Sequence, residues 1–165
     1  MAIDMMFATG KGVFHHSNGD IYEGDYLNCE KCGCGRYYFK DGLKFVGHFK
    51  HDKREGHGCL YNEDGSLRYD GLWAHDEKFG FGKLYLETGR YEGHLEEGIM
   101  TGYGTYYFED GYRYEGNWLE NKMHGAGMVY DVNGEVEFLG IWIDGERQDE
   151  EIEIKPVEKI VLSAH

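Results

Sequence analysis

This chain of 165 residues has no apolar run near the ~20 residues that a bilayer-spanning helix needs. Its hydrophobic content of 41% is weighted to rings, with Tyr, Phe and Trp supplying 16% of all residues. Aliphatic core-formers are sparse, so a thin sheet is expected rather than a thick globular core. Cationic charge is scarce too: 17 Lys and Arg face 31 Asp and Glu, for a formal net charge of −14. That balance argues against nucleic-acid binding, where Lys and Arg must displace phosphate counterions. It also disfavours attraction to anionic lipid and favours a partner with a basic face. The opening MAIDMMFATG lacks a basic region, so it reads poorly as a signal peptide, and Ala2 stands where N-myristoylation requires glycine. The four cysteines show no disulfide-framework spacing, and a reducing, cytoplasmic setting is expected.

Catalytic signatures are also missing. There is no HExxH, GxSxG, P-loop or kinase signature, and the Gly-x-Gly pairs lack the strand–helix context and third glycine of a dinucleotide fingerprint. Glu23, Asp70, Glu92 and Glu115 recur with a period, as a solvated face does, whereas paired catalytic carboxylates would be unique. His57 and His124 occupy different slots near Gly-x-Gly and form no nucleophile pair. No enzyme, catalytic residue or cofactor is expected. Cys29, Cys32 and Cys34, with His57 and Cys59 one unit later, could pose as a zinc site. Their spacing is irregular and no second CxxC exists, so the expectation is idle thiols and no metal.

What is abundant is glycine, and it is placed by a rule. An aromatic-x-Gly recurs every 22–24 residues, at Gly24, Gly47, Gly71, Gly93, Gly116 and Gly140. A Gly-x-Gly follows about ten residues later, at Gly33/Gly35, Gly56/Gly58, Gly80/Gly82, Gly102/Gly104 and Gly125/Gly127. A lone glycine closes each unit, and the back half of one more unit stands at Gly10, Gly12 and Gly19. Such periodicity marks an array whose units stack on one another.

In the unit 22–44, YEGDYL and RYYFK read as two short aromatic strands. The closing turns are SNGD, KDGL, EDGS, ETGR, EDGY and VNGE; the Asn-Gly and Asp-Gly among them predict type I′ hairpins, with positive φ at both central residues. The other connection (NCEKCG, HDKREG and their equivalents) reads as a longer polar loop. Chained hairpins give a single-layer antiparallel meander of about a dozen strands, roughly 60 Å long at ~4.8 Å per strand and curled by its twist into a trough. One first-strand column reads Tyr26, Phe49, Trp73, Leu95, Trp118, Trp142; a second-strand column reads Tyr38, Tyr61, Tyr85, Tyr107, Tyr130. The slot beside the latter (Phe14, Tyr37, Leu60, Leu84, Tyr106, Val129) faces the other way.

Read as YEGxW-x₆-GxG-x₅-DG, the unit resembles the MORN repeat (membrane occupation and recognition nexus) across about residues 10–149. Tyr114-Glu-Gly-Asn-Trp118 with Lys122-Met-His-Gly-Ala-Gly127 carries the resemblance most clearly. Val46 and Leu95 depart from the usual Glu and Trp, and Asp149 replaces the first glycine of the last Gly-x-Gly, where the array should stop. The resemblance implies an elongated all-β fold of about six hairpin repeats with a grooved face for a partner helix or extended peptide. The lining it suggests is Tyr26, Phe49, Trp73, Trp118, Trp142, Tyr38, Tyr61, Tyr85, Tyr107 and Tyr130.

The expected organisation is a lead-in at 1–9, an array at 10–149 and a tail at 150–165. The array divides into a partial unit 10–21, full units 22–44, 45–68, 69–90, 91–113 and 114–137, and a partial unit 138–149. In the tail, alternating Ile152 and Ile154 precede Pro156 and an apolar stripe, which suggests a cap over the sheet edge or a docking segment. The function expected is a non-enzymatic scaffold or adaptor in a cytoskeletal assembly, ciliary or axonemal by resemblance to the family. A membrane-associated module is the alternative, disfavoured by the charge. Open sheet edges add the prospect of a homo-oligomer.

Overall fold

The computed structural model describes residues 9–148. They form one open antiparallel sheet of thirteen strands, each paired with its neighbours in sequence order. The strands are β1 Gly10–His15, β2 Ile21–Leu27, β3 Glu30–Tyr38, β4 Lys44–Lys50, β5 Lys53–Tyr61, β6 Leu67–Ala74 and β7 Glu77–Leu86. They continue as β8 Gly89–Glu96, β9 Ile99–Phe108, β10 Arg113–Leu119, β11 Lys122–Tyr130, β12 Val136–Ile143 and β13 Glu146–Arg147. There is no helix among the described residues.

The two glycines of each Gly-x-Gly do different work. The second pairs across the sheet with the glycine of aromatic-x-Gly, as in Gly71 with both Gly58 and Gly82. The ring two residues earlier lies flat on that line: a Cβ at Gly82 would sit 2.5 Å from Tyr69 Cε2. The first glycine, as at Gly80 (φ +69°), takes the left-handed conformation where the register slips beside Gly71 and Trp73, the geometry of a bulge that wants no Cβ.

The turns differ from the sequence expectation, in which the two connections exchange character. The supposed polar loops are two-residue hairpins with positive φ at both positions: Asn28-Cys29, His51-Asp52, His75-Asp76, Glu97-Gly98, Glu120-Asn121 and Asp144-Gly145. These are the type I′ turns, whose twist matches that of the strands. The strands therefore reach further than RYYFK, with β3 beginning at Glu30. At the Asn-Gly and Asp-Gly turns only the glycine has positive φ, as at Gly42 (+92°). Gly42 N–H donates to Phe39 C=O at 3.0 Å, and Asp41 Oδ1 accepts from the Leu43 amide at 3.1 Å. Asn18, Asp41, Asp64 and Asp110 each make this side-chain bond to the amide two residues on, while at Asn133 the Glu135 amide bonds Asp131 instead. The Glu-Thr-Gly turn is shorter still, with Leu86 paired directly to Gly89.

The core lies on one face. Tyr22, Phe45, Tyr69, Tyr91 and Tyr114 are fully buried there, with Leu60, Leu84 and Tyr106 from the intervening strands. Phe49, Trp73, Leu95, Trp118 and Trp142 complete the layer. Rings meet edge to face, as in Phe45–Trp73 at 5.1 Å, Tyr91–Trp118 at 5.2 Å and Tyr114–Trp142 at 5.2 Å. Each pair links one repeat to the next. Residues 1–8 and the tail 150–165, with the expected cap, lie outside the described residues.

Candidate functional site

The ten residues expected to line one groove belong to two faces. Alternation from the paired glycines puts Tyr26, Phe49, Trp73, Trp118 and Trp142 on the ring face. Tyr26 is partly buried, and the other four are 8% exposed or less. Trp73 Nε1 donates to Gly58 C=O at 3.0 Å and Trp118 Nε1 to Gly104 C=O at 3.2 Å. Trp73, Trp118 and Trp142 are spent on packing one repeat against the next and do not line an open groove, whereas Tyr26 borders a groove with Gly12, Phe14 and Lys31 and Phe49 borders one with Lys31, Tyr37 and Arg54. The slot that carries the tryptophans sits directly over the glycine line, and that proximity to the backbone buries them.

Most polar ends of the ring layer are closed from within, Trp142 Nε1 being the exception. The hydroxyls of Tyr22, Tyr69, Tyr91 and Tyr114 each donate to the carbonyl three residues on, as Tyr69 to Leu72 at 2.8 Å and Tyr91 to His94 at 2.9 Å, while the Tyr106 hydroxyl pairs with Thr88 Oγ1 at 2.6 Å. Burial pushes the Tyr22, Tyr69 and Tyr91 phenols well above their ordinary range and Tyr114 up to about 12. Tyr37 is pushed up to about 12 by burial and then by its bond to Asp20. A second set went unread in the sequence. Lys31, Arg54, Lys78, Met100 and Met123 pair with Tyr26, Phe49, Trp73, Leu95 and Trp118; the three cations lie over rings, and the two methionines pack in the buried layer. The Arg54 guanidinium is 4.3 Å from the Trp73 ring centroid, and burial pulls the Lys78 amine below its usual value. The signal was present, as one long side chain per period two residues past each I′ turn, but it was masked by reading those segments as loop.

Tyr38, Tyr61, Tyr85, Tyr107 and Tyr130 stand on the opposite face and remain half-buried or exposed. Cations alternate with them across the strands. Lys44 Nζ lies 4.5 Å from the Tyr61 ring, Arg90 lies 4.5 Å from Tyr107, and Arg113 lies 3.8 Å from Tyr130. Glu92 and Glu115 hold the arginines at 3.0 and 2.8 Å. A parallel row on this face is apolar: Leu72, Phe79, Phe81, Tyr103 and Ile141, between 36% and 57% exposed. The sequence reading missed this row because Phe81 and Tyr103 fall at the x of Gly-x-Gly, Phe79 just before it, and Leu72 and Ile141 just after aromatic-x-Gly, slots where no aromatic is periodic.

The cysteine group also divides. Cys29 lies in a turn, and Cys34 Sγ meets His48 Nε2 at 3.5 Å. Cys59 instead faces Asp70 on the next strand, with Sγ donating to Oδ1 at 3.5 Å, while His57 Nε2 reaches the same carboxylate oxygen at 2.8 Å. Burial, and then Asp70, raises the Cys59 thiol pKa.

Six stretches of the chain match the model of the MORN repeat: residues 7–21, 22–44, 45–67, 69–89, 91–111 and 114–136. No curated protein matches the chain significantly.

Proposed function

The chain belongs to the MORN-repeat family, a family of non-enzymatic repeat modules, and from that premise we propose that it is a protein-interaction scaffold or adaptor of a cytoskeletal assembly. The ciliary or axonemal setting rests on the family resemblance. The observation that carries the binding reading is the exposed row of Leu72, Phe79, Phe81, Tyr103 and Ile141 beside the tyrosine column. Aromatic and aliphatic anchors of that size are where interfaces concentrate their energy. The partner is a helix or extended peptide with apolar anchors and flanking basic residues, because the net charge of −14 steers a cationic segment towards this surface. The site is thus assigned to the face carrying Tyr38, Tyr61, Tyr85, Tyr107 and Tyr130, and the buried tryptophans act as its support. The outer edge of β1 has no strand partner among the described residues, so a second copy could add there; sedimentation across concentrations reads that directly.

The test is affinity purification of the tagged full chain from its native cells, with stoichiometric partners identified by mass spectrometry. Cytoskeletal proteins are the expected recovery, and Phe81→Ser with Leu72→Ser should reduce it at least ~10-fold at unchanged thermal stability. Undiminished recovery by that folded double variant would move the site off this face. Recovery of membrane components, with flotation on anionic vesicles at low salt, would favour a membrane-facing module instead.

A further inference from the structure

Most of the open face repeats with the array, so its residues answer to architecture. Besides the apolar row already described, one cluster of ligating side chains departs from the period. His57 and Cys59 are two apart on β5 and project to the same face, and Asp70 on β6 is the direct cross-strand partner of Cys59. One ligand atom from each, imidazole nitrogen, thiol sulfur and carboxylate oxygen, lies within 4.8 Å of the others. The corresponding triplets in the other units are Lys11, Val13, Glu23; Cys34, Arg36, Val46; Phe81, Lys83, Glu92; Tyr103, Thr105, Glu115; and Ala126, Met128, Leu139. None of those offers more than one His, Cys or carboxylate ligand. Three ligating side chains at one non-periodic point are not required by the fold.

We propose that His57, Cys59 and Asp70 form a binding site for one divalent cation of the zinc class, with the fourth coordination position open to solvent. The donor set selects the ion. A thiolate with an imidazole and a single carboxylate suits borderline Zn2+ or Co2+, whereas Ca2+ and Mg2+ want an all-oxygen shell. The dimensions fit. Tetrahedral bonds of normal length put sulfur and oxygen about 3.6 Å apart and nitrogen and oxygen about 3.4 Å apart. The Cys59 Sγ–Asp70 Oδ1 distance is already 3.5 Å. His57 Nε2, now 2.8 Å from Asp70 Oδ1, needs a small outward turn, which its exposed ring is free to make. The site opens on a groove of about 710 Å³ shared with Cys34 and His48, so an ion has a path in. On binding, Cys59 gives up its thiol proton to solvent and the ion replaces the proton now held between sulfur and Asp70.

Titration of the reduced, chelator-treated full chain with Co2+ alone, then Zn2+ alone, tests this. One ion per chain is expected, with a thiolate-to-cobalt charge-transfer band that Zn2+ bleaches. Cys59→Ser should abolish the band, His57→Ala and Asp70→Asn should each weaken binding at least ~10-fold, and Cys34→Ser should leave it unchanged. Thermal melts in chelator verify that each variant folds; His57 is exposed, so His57→Ala remains informative if Cys59→Ser does not fold. No binding at micromolar metal, a band that survives Cys59→Ser, or a band lost in Cys34→Ser would overturn the proposal.

Discussion

Where a ring lies on the glycine line, the backbone has room for no more than a hydrogen atom. At Gly82 an added Cβ would lie 2.5 Å from Tyr69 Cε2, 2.6 Å from its hydroxyl and 2.8 Å from Cζ. Tyr69 cannot retreat, because it is fully buried, is tied by its hydroxyl to Leu72 C=O, and meets Trp73 edge to face at 5.4 Å. Gly82→Ala should therefore cost ~3 kcal/mol or more, at the top of the range for overpacking. Gly65→Ala meets nothing within 4 Å and carries only the strain of φ +85°, so ~1–2 kcal/mol is expected there. Urea unfolding of the two variants decides the matter; equal losses would mean that the ring yields and the glycine serves only backbone freedom. This residue-scale logic was partly legible. The aromatic-x-Gly spacing announced rings lying over backbone. It did not announce that the neighbouring tryptophans would be consumed by the same layer, since alternation fixes a face but not the depth of burial on a sheet with no second layer.

At the scale of the hairpin, repeats are joined by a clamp at the I′ turns. The Asp76 amide donates to Arg54 C=O at 3.2 Å, and Asp76 Oδ1 accepts from the Arg54 amide at 2.9 Å and from Arg54 Nε at 3.0 Å. Asp52 with Lys31 and Asn121 with Met100 repeat the reciprocal pattern, while Gly98 keeps only the amide bond, to Lys78 C=O. Asp76→Ala leaves the partly buried Arg54 amide without its acceptor and should cost ~1–2 kcal/mol; Asp76→Asn should recover most of that by keeping the oxygen. A loss for Asn as large as for Ala would shift the weight from the amide bond to the Arg54 ion pair. Sequence reading assigned positive φ to the wrong turn for a definite reason. Asn-Gly and Asp-Gly are the strongest hairpin dipeptides, yet Asp41 serves a side-chain bond to Leu43 N–H and leaves the left-handed conformation to Gly42 alone. His51-Asp52 carries no glycine and bears positive φ at both residues, sustained by its bonds to the previous hairpin. Such long-range compensation leaves no local signature.

Across the described residues, every strand pairs only with its sequence neighbours, and the ring contacts step from one repeat to the next. Stability should therefore be a sum of repeat and nearest-neighbour terms, with no single centre whose loss unfolds everything. A deletion of residues 72–93 tests this cleanly. It joins Gly71 to His94, so each retained strand finds a partner of the same register and Leu95 takes the place of Trp73 over Tyr69. The shortened chain also loses the Phe79 and Phe81 anchors while keeping His57, Cys59 and Asp70, which separates the docking face from the cation site. The expected product is a folded sheet that unfolds cooperatively, with a urea m-value reduced in proportion to the repeat removed and a lower midpoint. Unfolding of the deletion variant in water would show that the array depends on all its repeats together. Retention of the parent's m-value would show that the removed hairpin was not part of the cooperative unit. A proportionate fall means that the array can lengthen or shorten by whole units, and that its specificity lies in the non-periodic residues displayed on the open face.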